Sequence, residues 1–180
     1  MIRWLLLLVG GMLLGGIVHL ATMLILPRAA TKDAYARLTQ TGDVNKMAPI
    51  PEPTAQNSPI PFTDPAFAAA VCRYDLSKGP IKFTAPVSIA YTSVSFYTRS
   101  GMAYYAINDR AAGRRIIELN LMTTKQREEL PEDEDVTAAD RLIVESPTTI
   151  GLIVLRALAP EPGLMPMVRN AVAAAQCRQQ

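Results

Sequence analysis

The first hydrophobic stretch is unbroken: residues 4–26 are 23 positions without an Asp, Glu, Lys or Arg. At 1.5 Å per residue, a helix of that length crosses the roughly 30 Å hydrocarbon layer of a bilayer. The pattern then fragments. Residues 31–41 carry the signs of a short helix, with Thr31 placed to cap its start and Gly42 to stop it. Six prolines between Met47 and Pro65 rule out helix or inner strand there, and predict an extended spacer or a strap lying on the domain. Asp64 as N-cap and Pro65 at the first helical position predict a brief helix to Ala70.

From Val71 onward the period becomes two. Residues 71–75 and 81–85 flank Leu76-Ser77-Lys78-Gly79-Pro80 as a predicted hairpin. Residues 89–98 and 102–108 flank Arg99-Ser100-Gly101 as another. Within 115–121, Ile117, Leu119 and Leu121 alternate with Glu118 and Asn120, the sign of a sheet with one dry and one wet face. Residues 123–130 read as a single capped helix, and 141–145 with 150–157 as a last pair of strands around Ser146-Pro147-Thr148-Thr149. Residues 164–177 read as an amphipathic helix presenting Leu164, Val168, Ala171, Val172 and Ala175. The expected class is mainly β with flanking helices (α+β): an antiparallel β-sandwich or barrel-like domain behind one N-terminal transmembrane helix. The chain divides into an anchor over residues 1–30, a short helix and proline-rich spacer over 31–63, and a β-rich globular domain over 64–180.

The apolar stretch admits two readings, a permanent anchor or a removable signal peptide. Signal peptides carry about 7–15 apolar residues before a small-residue cleavage site. The greater length here, and Pro27-Arg28 where small residues would be wanted, favour the uncleaved anchor. Gly11, Gly15 and His19 follow one another at one-turn spacing, which suits a helix–helix interface with a second copy or a partner membrane protein. Glycine is also simply frequent in membrane helices. His19, the sole histidine, either hydrogen-bonds across such an interface or serves proton or metal chemistry. Arg3 precedes the helix, while Arg28, Lys32, Arg37 and Lys46 follow it, so the charge count favours a cytoplasmic C-terminal domain. A long domain translocates largely regardless of charge, so the cysteines must arbitrate.

Charge and chemistry narrow the function. With 18 Lys and Arg against 16 Asp and Glu, the chain has no basic footprint for nucleic acid. No histidine follows His19, which excludes Ser-His-Asp and Cys-His systems and His-containing zinc sites from the domain. No phosphate-cradling loop or dinucleotide fingerprint occurs. No catalytic residue, metal ligand or cofactor is assigned. The run Glu132-Asp133-Glu134-Asp135 lacks the ligand spacing and glycine of a calcium loop and reads as solvated. Cys72 and Cys177 either form a disulfide in an oxidising compartment or stay as two buried thiols in a reducing one. Tyr91, Ser93, Ser95 and Tyr97 would share one strand face. With Tyr104, Asn108, Asp109 and Arg110, the tyrosines make a candidate pocket for an anionic or sugar-like ligand, or an acid–base site around Asp109. The same residues equally suit a plain strand and turn.

Three segments carry a family resemblance: Cys72-Arg73-Tyr74-Asp75-Leu76-Ser77-Lys78-Gly79-Pro80, Tyr91-Thr92-Ser93-Val94-Ser95-Phe96-Tyr97, and Arg141-Leu142-Ile143-Val144-Glu145-Ser146-Pro147. Together they resemble the domain-of-unknown-function 1254 family of bacterial envelope proteins, over roughly residues 62–177. The anchored layout resembles its short membrane-bound members. The resemblance implies a β-rich domain outside the cytoplasm, and a partner bearing the companion 1214 domain. It supplies no catalytic residues. The expectation is a single-pass inner-membrane protein whose periplasmic domain binds a partner protein or small ligand. The alternatives are an envelope enzyme using carboxylates and tyrosines, or an accessory subunit acting through its membrane helix.

Overall fold

The run Phe67-Ala68-Ala69-Ala70 favours helix by intrinsic propensity, yet it opens a nine-residue strand, Phe67–Asp75. Pairing with a long neighbouring strand along its whole length overrides the local preference. Asp64 does not cap a helix: its Oδ1 accepts the Ala66 N–H at 2.9 Å in a tight turn ahead of the strand. The computed structural model describes residues 1–29, 33–54, 60–61, 63–110, 115–129 and 142–180. Thr31, Arg114, Leu130, the acidic run 132–135 and Arg141 lie outside them.

The chain forms two compact units, Met1–Asp33 and Ala34–Gln180. The first is α1, Ile2–Ala29. Its segment Ile2–Leu26 is long and apolar enough to cross a membrane, a property that signal sequences share.

In chain order the second unit contains α2 (Ala34–Leu38), β1 (Met47–Pro49), β2 (Phe67–Asp75), β3 (Ile81–Pro86), β4 (Thr92–Thr98), β5 (Ala103–Asn108) and β6 (Ile116–Thr123). It continues with α3 (Thr124–Glu128), β7 (Leu142–Ser146), β8 (Ile150–Leu158), α4 (Met165–Ala173) and β9 (Gln176–Gln179). Two open sheets result, one ordered β1-β2-β8-β4-β5 and the other β7-β6-β3-β9. The fold is therefore a sandwich and not a closed barrel. Among the described residues its strands pair antiparallel except β6 with β7, which run parallel, and an isolated parallel bridge joins Val44 to Arg73. A parallel pair needs a crossover, and α3 lies on it. Thr123 caps α3 as its sequence indicates, Thr123 and Gln126 exchanging side-chain to backbone hydrogen bonds.

The hairpin expected for β4 and β5 forms, with a bulge where the register shifts beyond Phe96. The hairpin expected for β2 and β3 does not. Leu76 is buried and Gly79 takes φ +137°, which carries the chain across the core into the other sheet. The last expected strand pair separates in the same way, β7 joining one sheet and β8 the other. The expected helix over 164–177 stops at Ala173, and Cys177 lies on β9, a strand recruited by β3. The proline-rich stretch contributes β1 at a sheet edge, the place where proline is tolerated.

The core lies between the sheets. Cys72, Tyr74, Phe83, Phe96, Leu119 and Ile153 are buried there, and α4 closes one end with Val168 and Val172. A second cluster covers the outer face of the larger sheet, where α2 lays Leu38 on Val71, Leu152 and Val154.

Candidate functional site

The β4–β5 hairpin holds most of the residues that the sequence singles out, and its alternation splits them. Thr92, Val94, Phe96 and Thr98 point inward and are buried. Tyr97, on the opposite face, joins the outer cluster, whereas Tyr104 packs on the inner core. The bulge sets Tyr104 and Tyr105 both against Phe96, with ring centroids 6.2 and 5.8 Å away. Tyr97 and Tyr104 thus pack into different clusters. Tyr91 is exposed just ahead of β4. Asn108, Asp109 and Arg110 do come together, as a turn: Asn108 Oδ1 accepts the Arg110 N–H at 3.1 Å. Asp109 Oδ1 accepts the Thr92 N–H at 3.2 Å, and Asp109 N–H donates to the Thr92 carbonyl at 2.9 Å. The carboxylate that the sequence offers for acid–base work clasps the end of the hairpin.

A buried hydroxyl cluster forms at one end of the sandwich, with Tyr74 at its centre. Its hydroxyl lies 2.9 Å from Ser146 Oγ and accepts the Tyr104 hydroxyl at 3.1 Å. Ser146 in turn donates to the Thr148 carbonyl at 2.6 Å. Burial pushes the Tyr104 phenol well above its ordinary range, so it stays protonated and serves as a donor. Gly151 makes the room: a Cβ there would lie 2.4 Å from the Tyr74 hydroxyl and 2.2 Å from the Tyr97 carbonyl. Such a network satisfies polar groups and fixes the packing. It contains no base to activate a nucleophile.

A groove of about 560 Å³ lies between the proline-rich segment, the start of β2 and α4. Its apolar walls include Ile50, Pro51, Phe67, Met165 and Val172. Glu52 and Arg169, also on its wall, form an ion pair. Thr63 Oγ1 is buried beside it and has no hydrogen-bond partner among the described residues. Proline density was the only sequence signal for this place. It marked the strap but could not show that α4 would lie across from it.

The two cysteines are joined. Cys72 on β2 and Cys177 on β9 form a disulfide between the sheets, with both residues buried and their Cα atoms 6.4 Å apart. Gly11, Gly15 and His19 all lie on α1; His19 is exposed, and a Cβ at either glycine would meet nothing within 4 Å. No group of three or more His, Cys, Asp or Glu side chains suited to a metal occurs among the described residues.

The fold has solved relatives. A protein from Vibrio parahaemolyticus superposes with a TM-score of 0.60 at 13% identity, over 82% of this chain and 34% of its own. An uncharacterised protein from Burkholderia cenocepacia gives 0.46 at 13% identity, over 72% of this chain and 35% of its own. This chain therefore spans about a third of the length of either protein. No curated protein matches significantly. Residues 44–179 match the family described as "Protein of unknown function (DUF1254)", and the chain belongs to that family.

Proposed function

We propose that this protein is a membrane-anchored binding module of the bacterial envelope. In this reading α1 stays in the inner membrane and the sandwich stands in the periplasm. The disulfide between the sheets carries the reading, because such bonds persist in oxidising compartments and are rare in the cytosol. It outweighs the cluster of basic residues behind α1, since long domains translocate largely regardless of that charge. The groove beside α4 is where the module takes a small, mainly apolar ligand. Apolar walls supply the binding area, and the Glu52–Arg169 ion pair on the wall offers a polar contact.

Two experiments test the two halves. Alkaline phosphatase fused after Gln180 is expected to be active and β-galactosidase inactive; the reverse pattern overturns the periplasmic placement. For the groove, titrating the full chain in mild detergent with an alkyl diazirine photoprobe should label residues of the groove wall. Ala173→Trp, at an exposed position on the groove wall, should abolish most of that labelling. Unchanged labelling would remove the groove as the site.

A further inference from the structure

The four-residue strand β9, Gln-Cys-Arg-Gln, closes one edge of the smaller sheet. Hydrophobic burial does little to hold it there. Cys177 is its only buried side chain, and Gln176 and Arg178 are exposed. Its register with β3 sets Arg178 directly opposite Lys82, a like-charge pair that adds no strength to the ladder, even tempered by the Glu118 carboxylate on Lys82. The attachments of β9 are therefore its backbone bonds to β3, the Gln180 side chain on Asn120 at 2.9 Å, and the disulfide from Cys177 to Cys72.

The register shows what β9 covers. Gln180 N–H donates to the Pro80 carbonyl at 3.0 Å, so by alternation Lys82 and Thr84 direct their backbone groups toward β9. On the other side Val87 N–H donates to the Arg115 carbonyl at 2.8 Å, and Ile81, Phe83 and Ala85 bond to β6. The ladder between β3 and β6 thus owes nothing to β9. α4 also has its own hold, since Val168, Val172 and Ala175 are buried in the core ahead of β9. The disulfide is approached from one side. Cys72 is fully buried, whereas Cys177, 3% exposed, lines a groove of about 460 Å³ between residues 44–47 and β9.

We propose that the Cys72–Cys177 disulfide is a redox latch: a dithiol opens it and releases β9 while the two sheets stay packed. A thiolate of the dithiol attacks Cys177 Sγ, and the Cys72 sulfur leaves and takes up a proton. The second thiol then displaces Cys177, so the dithiol is oxidised to a disulfide and both cysteines become thiols. Without the cross-link, β9 buries no side chain but the Cys177 thiol and is held by a short edge ladder, which frays. Release bares the N–H and C=O groups of Lys82 and Thr84, an edge that accepts an added strand. In the oxidised protein that edge is covered. The latch does not depend on the ligand groove.

The test is amide hydrogen exchange, read by mass spectrometry on the full chain in mild detergent, with dithiothreitol as the dithiol. Reduction is expected to speed exchange at residues 176–180 and at Lys82 and Thr84 by about a hundredfold or more, while residues 151–155 of β8 stay unchanged. Cys177→Ser, in which the cross-link cannot form, should show the fast pattern without reductant and give no response to it. A disulfide that dithiothreitol fails to open under native conditions overturns the proposal. So does a reduced chain whose β9 stays protected, or one in which β8 and β9 lose protection together, which would make the disulfide a support of the whole domain.

Discussion

In the five-stranded sheet β2 and β8 are covered on both faces, whereas in the four-stranded sheet Lys82 and Glu118 look into solvent from β3 and β6. Along β8 five consecutive residues, Gly151 to Leu155, are buried: Ile153 and Leu155 face the inner core, and Leu152 and Val154 face α2. Along β3 burial alternates, with Ile81, Phe83 and Ala85 inside. The difference comes from a cover built by α2 together with Ile50 and Ile60 of the proline-rich strap. α2 places Leu38 on the larger sheet and turns its outer face into a second, smaller core. A doubly covered strand reads as a continuous apolar run, and a singly covered one as an alternation.

The largest effect should come from the link between the two sheets. Replacing both Cys72 and Cys177 by Ala is expected to destabilise the domain by about 4–5 kcal/mol, the chain-entropy value for a closed loop of this length. The urea midpoint measures it. A loss below about 1 kcal/mol would mean that packing alone unites the sheets.

Next in size is the covered outer face. Leu38→Ala, at a position only 2% exposed, should cost about 3 kcal/mol by the same measurement. The counterpart on the wet face should scarcely register. Lys82→Ala removes an ion pair to Glu118 in which both side chains are more than two-fifths exposed, and the midpoint should move by no more than about 0.5 kcal/mol. If these two substitutions had equal effects, the contrast between the sheets would fail.

Where a feature depended on neighbours along the chain, it was legible beforehand. The capped helix beginning at Thr123, the β4–β5 hairpin and the alternation of Ile117, Leu119 and Leu121 all appear where the residues place them. The strand nature of Phe67-Ala68-Ala69-Ala70 was hidden, because alanine favours helix until a partner strand supplies hydrogen bonds and burial. The residues of the candidate pocket are parted for a related reason. Counting by twos put Tyr91 and Tyr97 on one face, but a bulge and a second core decide what each tyrosine touches.

The residues alone establish an apolar stretch without charge over 4–26, a β-rich domain behind it, a domain without histidine, and a nearly balanced charge. These rest on composition and on the local periods of backbone geometry, which need no distant partner. The pairing of remote segments settles that β2 and β3 enter different sheets, that Cys72 meets Cys177 across 105 positions, and that α4 walls a groove with the proline-rich strap. Each of these depends on which remote segments meet, and that is settled by burial and pairing summed over the whole domain.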